Sequence, residues 1–138
     1  MRCVYSGRVA SHPFRQAVEA GDLDAVRDLL ADDVVFNSPV AHKPFEGRAV
    51  VAQVLGFAFE TFEDFRYVDE IADGELVALI FRARVGDREV HGLDLIHTDA
   101  GGHIDELSVM VRPMSGLAAL GEAMGAKVVA AGPKGWPR

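Results

Sequence analysis

The stretch that most constrains this chain runs from Val90 to Pro113, VHGLDLIHTDAGGHIDELSVMVRP. Two runs of strand-forming residues flank a Gly-rich turn at Thr98–Gly102, and Pro113 stops the second run because proline cannot donate to a sheet ladder. Alternation sorts the side chains of a strand between two faces. In the first run Val90, Gly92, Asp94 and Ile96 share one face, and His91, Leu93, Leu95 and His97 share the other. In the second run Leu107, Val109 and Val111 face inward. A carboxylate in an apolar strand costs free energy unless it is solvated, paired or protonated, so Asp94 is the first candidate for chemistry. The opposite face, two leucines beside two histidines, is too apolar for open solvent, and a partner subunit would explain it.

Upstream the pattern is helical. Ser11 and Pro13 suit a helix start, with Phe14, Ala17 and Val18 on one face. Gly21 ends that helix and Asp22 can cap the next, whose stripe is Leu23, Val26, Leu29 and Leu30, with Asp32 and Asp33 closing it. VVFNS, Val34–Ser38, reads as a strand and Pro39–Gly47 as a loop. Val50, Val51, Val54, Leu55, Ala58 and Phe62 predict a helix over Arg48–Thr61. Strands are expected over Phe65–Ala72, Leu76–Val85, Glu89–His97 and Ile104–Arg112, then a small helix over Ser115–Lys127. Helices followed by a meander of strands is an α+β order. The expected organisation is a loose N-terminus over 1–10, one domain over 11–128 and a loose tail over 129–138.

The 138 residues suit one domain with its own core, and a net charge of −7 speaks against a nucleic-acid surface or a basic membrane face. No apolar run approaches the roughly 20 residues of a spanning helix. Cys3 is the only cysteine, which fits a reducing compartment, and the N-terminal stretch lacks a signal-peptide core, so a cytoplasmic location is expected. His91, His97 and His103 lack a cysteine or carboxylate at ligand spacing, so no metal is expected, and no nucleotide or flavin motif implies a cofactor.

The segment AVEAGDLDAVRDLLADDVVFNSPVAHKPFEGRAVV resembles the nuclear transport factor 2-like superfamily, in particular its SnoaL-like members, and GLDLIHTDAGGHIDELSVMVRP resembles the same family. The matches cover most of Phe14–Pro113. The resemblance implies a curved antiparallel sheet wrapped on the N-terminal helices, a conical pocket open at one end, and a homodimer. The same segments are similar to ketosteroid isomerase, which uses an aspartate base before the proline that ends the first strand, a tyrosine of the first helix, and a protonated aspartate. The matching positions are Ser38, Phe14 and Asp94, so one of the three functional residues is kept. Serine is a poor base at neutral pH and phenylalanine donates nothing, so steroid isomerisation by that mechanism is not expected. The epoxide hydrolases of this fold place an arginine two residues before their strand aspartate, where this chain has Gly92, so that resemblance lacks its arginine–aspartate pair.

Asp94 is therefore the candidate general acid, with a hydrogen bond to a neighbouring group as its plain alternative. Asn37 and Ser38 could position the polar end of a ligand, or be turn chemistry alone. His42 could be a general base, or simply an exposed loop histidine. The expected ligand-binding wall is Phe14, Val18, Phe36, Val54, Leu55, Phe59, Val90, Gly92, Leu107, Val109 and Val111. The expected function is binding, isomerisation, cyclisation or hydrolysis of a small, mostly apolar carbonyl-type molecule. The alternative is a non-catalytic ligand-binding or dimerisation domain.

Overall fold

The computed structural model describes residues 11–131, so the expected loose segment over 1–10 and residues 132–138 of the expected tail lie outside the described residues, whereas 129–131 of that tail are helical. Two short helices open the chain, α1 (Pro13–Glu19) and α2 (Leu23–Leu29). The N-cap of α1 is His12 rather than Ser11, because the His12 Nδ1 accepts from the Phe14 N–H at 3.0 Å and leaves Ser11 outside the turn. Asp22 caps α2 as its spacing implies, accepting from Ala25 N–H at 3.0 Å.

Strand β1 begins earlier than expected. It runs Leu30–Asn37 and takes in Asp32 and Asp33, whose side chains are exposed while Leu30, Ala31 and Val34 are buried. The loop after it carries a two-residue strand, β2 (Phe45–Glu46), and leads into α3 (Arg48–Thr61), whose Val51, Val54 and Leu55 are buried. Four long strands follow: β3 (Glu63–Asp73), β4 (Leu76–Val85), β5 (Arg88–Thr98) and β6 (Ile104–Arg112). The last helix, α4, spans Met114–Ala131 and is longer than the sequence suggested.

The six strands form one curved, open sheet in the order β2-β1-β6-β5-β4-β3. Every neighbouring pair is antiparallel except β1 and β6, which run parallel. That exception arises because β1 enters from the helices and docks on the strand that ends the meander. The core lies between the concave face of the sheet and the helices. Leu30, Val34, Leu79, Phe81, Ile96, Ile104 and Leu107 from the strands meet Phe14, Val26, Val51 and Val54 from the helices there.

Strand β5 pairs with β4 without a register shift over its length, so alternation holds through Gly92. Val90, Asp94 and Ile96 are buried, and His91, Leu93, Leu95 and His97 are on the other, half-buried side. His91 and Asp94 thus lie on opposite faces. No helix among the described residues is long and apolar enough to cross a membrane.

Candidate functional site

Asp94 sits at the middle of β5, opposite Leu79 of β4 and Val109 of β6. It is 6% exposed and is the only buried charged residue among the described ones. Tyr67 of β3 reaches across β4 and donates its hydroxyl to Asp94 Oδ2 at 2.7 Å. Tyr67 pairs with Phe81, and Phe81 pairs with Gly92, whose missing side chain leaves room for the Phe81 ring. A Cβ on Gly92 would stand 2.6 Å from Phe81 Cζ and would also collide with Met110 O, so the Phe81 ring occupies the space that a side chain would need.

Burial pushes the Asp94 carboxyl up to about 7, against a partial lowering by the bond from Tyr67. Both protonation states are therefore populated near neutral pH. Burial first, and then the facing carboxylate, hold the Tyr67 phenol far above its ordinary value, so it remains a donor. With Oδ2 accepting from Tyr67, the proton of neutral Asp94 resides on Oδ1. Among the described residues no fully enclosed side-chain oxygen or nitrogen lacks a partner. Oδ1 has none among the described residues, and Asp94 lines the cavity beside it.

That cavity has a free volume of about 50 Å³. Six phenylalanines line it: Phe14 of α1, Phe36 of β1, Phe59 of α3, Phe62 just after α3, Phe65 of β3 and Phe81 of β4. The rings pack on one another, with Phe65 and Phe81 stacked at 4.8 Å and Phe62 edge-on to Phe81 at 5.5 Å. Leu55, Ala58, Leu107, Val109, Leu120 and Met124 complete the apolar lining, and Ser38, Pro39 and Val40 form the rim. Ser38 Oγ accepts from Val40 N–H at 3.2 Å, which leaves its own proton free to donate. The cavity therefore offers two donors, one deep and one at the rim, within hydrocarbon walls that strengthen any hydrogen bond made there.

Of the residues expected at the site, Phe14, Phe36, Ser38, Leu55, Phe59, Asp94, Leu107 and Val109 line this cavity. The three positions matched to the isomerase, Phe14, Ser38 and Asp94, converge on it. The others do not line it. Asn37 alternates with Phe36 and faces the convex side, where its amide donates to Glu106 Oε2 at 3.1 Å and Ser108 Oγ at 2.9 Å. His42 is exposed in the loop before β2. Val54 is in the core, and Val90 packs beneath Gly116 of α4. Val18 and Val111 pack half-buried against the core, and Gly92 lies under the Phe81 ring. Sequence reasoning missed Tyr67, Phe62, Phe65, Phe81, Leu120 and Met124. The signal available for Phe65 and Tyr67 was their shared face in a strand already recognised. For Leu120 and Met124 it was the four-residue spacing in the last helix.

Among the described residues no three His, Cys, Asp or Glu side chains group so as to hold a metal ion. His97 and Asp105 form a pair at 2.5 Å on the convex face, which raises the histidine pKa through the hydrogen bond to Asp105. This pair lies outside the cavity lining.

A family model described as a SnoaL-like domain matches residues 12–109. Among solved structures, the chain is 46% identical to a steroid delta-isomerase from Pseudomonas aeruginosa, with a TM-score of 0.81 over 86% of this chain and 88% of that one. It is 35% identical to an uncharacterized protein with a cystatin-like fold from Silicibacter pomeroyi DSS-3, with a TM-score of 0.84 over 94% and 92% of the two chains. A nuclear transport factor 2-like protein of unknown function from Mesorhizobium loti shares the fold at 20% identity, with a TM-score of 0.64 over 72% and 85%. No protein of curated function matches the chain.

Proposed function

The chain belongs to the SnoaL-like domain family, and from that premise we propose that its cavity binds a small, mostly apolar carbonyl-type molecule and polarises it through neutral Asp94. The observation that carries this reading is the Asp94 carboxyl, buried in a phenylalanine-walled cavity with Tyr67 on one oxygen and the other open to the cavity. A ligand carbonyl accepting from Oδ1 gains a hydrogen bond in surroundings free of competing water. An acid whose pKa is near 7 is matched to proton transfer at neutral pH, and such transfer supplies about 10²–10⁴-fold. That magnitude suits an easy isomerisation, cyclisation or hydrolysis. The likeness to the Pseudomonas aeruginosa protein titled a steroid delta-isomerase supports a cyclic ketone as the ligand class.

The second reading is a non-catalytic carrier. It is favoured by Phe14 and Ser38, which supply neither a phenol nor a carboxylate at the two positions matched to isomerase groups, and by a cavity lining with no second carboxylate among the described residues.

Binding of small cyclic ketones measured against pH tests the proposal. Wild-type affinity is expected to fall as pH rises through about 7, because the ionised carboxyl has no proton to donate. The Asp94→Asn variant keeps a donor and an acceptor, so its affinity should be level over the same range. Asp94→Leu should weaken binding by roughly three- to tenfold, the worth of one neutral hydrogen bond. A wild-type affinity indifferent to pH, or no ketone binding at all, would overturn the reading.

The proposal includes a homodimer through the convex face of the sheet. Ile80, Leu93 and Met110 are aligned across β4, β5 and β6, and Ile71, Ala78 and Leu95 form a second row beside them. Met110 and Ile71 are 52% and 55% exposed, an apolar surface that a second copy would cover. Leu93→Arg is expected to convert a dimer to a monomer in sedimentation velocity, and a monomeric wild type would contradict this part. The single cysteine in the sequence supports a reducing, cytoplasmic setting.

A further inference from the structure

The cavity is smaller than the ligands its walls suit. Its volume is about 50 Å³, whereas ligand pockets commonly measure roughly 300–1,000 Å³ and a dry cavity that admits benzene is on the order of 150 Å³. A wall has to move before a cyclic ketone can enter.

The walls are not equally fixed. Strands β4, β5 and β6 each have a hydrogen-bonded neighbour on both sides. Helix α3 sits over the sheet with Val51, Val54 and Leu55 buried, and is covalently followed by the wall residue Phe62. Helix α4 differs. Of its 18 residues, Gly116, Leu120 and Met124 are the buried ones, and the last two are themselves cavity wall. Among the described residues its polar side-chain ties to α3 are a 3.7 Å approach of Met124 Sδ to the Thr61 hydroxyl, whose proton goes to Phe57 O at 2.7 Å, and a Lys127–Glu60 ion pair at 3.1 Å whose carboxylate is mostly exposed. Its first turn, by contrast, is anchored. A Cβ at Gly116 would lie 2.9 Å from Glu89 O and 2.5 Å from Val90 Cγ1, so the helix start rests directly on β5.

We propose that α4 is the size-selecting wall of the cavity: Leu120 and Met124 close it, and molecules larger than the closed space enter only when the helix swings from α3 about its anchored Gly116 end. The ligand class rests on the function proposed above, but the motion does not.

The test reads the motion without a ligand. In a Cys3→Ser background, Leu55→Cys places a thiol on the cavity wall, and Glu60→Cys with Lys127→Cys places one exposed and one half-buried thiol on the facing surfaces of α3 and α4. That pair is first bridged with a short bifunctional alkylator, or capped singly as the control. The buried thiol is then labelled with an aromatic disulfide reagent. Bridging is expected to slow that labelling at least tenfold; equal rates in bridged and capped protein would overturn the proposal. Val109→Cys is a second probe position, should the Leu55 variant fail to fold. Uptake of a bicyclic ketone by the same two preparations separates the two ideas. Slower uptake after bridging supports both. No uptake in either preparation, with labelling still slowed, rejects the ligand reading and keeps the moving wall.

Discussion

Replacing Asp94 by asparagine is expected to make the protein more stable than the wild type at pH 8–9, by up to roughly 4 kcal/mol, and to leave stability little changed only at and below about pH 4. The carboxyl has a pKa of about 7 in the folded chain against a model value of 3.8. Between those values the native state holds a proton that the unfolded state releases, so wild-type stability falls as pH rises through that window. The contribution is fully present below 3.8 and lost above about 7. At ~1.4 kcal/mol per pH unit the interval amounts to roughly 4 kcal/mol. Asparagine has nearly the same shape, can accept from Tyr67 and cannot ionise, so its stability should lack this term. Urea unfolding of both proteins from pH 4.5 to 9 measures the difference. Parallel curves over the whole range would show that the folded chain does not raise the Asp94 pKa.

Phe81→Ala is expected to cost about 3–5 kcal/mol, with a urea m-value close to that of the wild type. The ring is 1% exposed and lies at the centre of the aromatic wall, within 4.8 Å of Phe65, 5.5 Å of Phe62 and 6.5 Å of Tyr67, centroid to centroid. It also fills the space that a side chain on Gly92 would need. Truncation removes the transfer free energy of the ring and leaves a void that a hydrogen-bonded sheet cannot close. The void would join the existing cavity, so the variant should also take larger ketones than the wild type. A loss below about 1 kcal/mol would mean that the wall repacks freely.

Much of this arrangement was legible in the residues. Helix Arg48–Thr61 and strands Leu76–Val85 and Ile104–Arg112 have the bounds that their periodicity and their Gly-Asp and proline stops imply. The face assignment of β5 followed from alternation alone, because no bulge interrupts its pairing with β4. The burial of Asp94 was readable for the same reason. The partner of Asp94 was not, since Tyr67 is 27 residues away and two strands across, on a strand whose register shifts between Tyr67 and Asp69. The parallel pairing of β1 with β6 joins the first and last long strands of the sheet, and no local pattern encodes it. Asn37 was misplaced because its turn chemistry resembles that of Ser38, although adjacent strand residues point to opposite faces. The closing role of α4 was hidden by its composition. Its small residues weaken the amphipathic signal, and only Leu120 and Met124 reach the cavity.

The most direct test of a neutral acid in the cavity is the carbon-detected NMR titration of the Asp94 carboxyl, alone and with a small cyclic ketone. A midpoint near 7 that moves upward when the ketone is added is the expected result, because a carbonyl stabilises the protonated form that donates to it. A midpoint near 3.8, unmoved by any ketone, would contradict it and leave Asp94 as an ordinary carboxylate bonded to Tyr67.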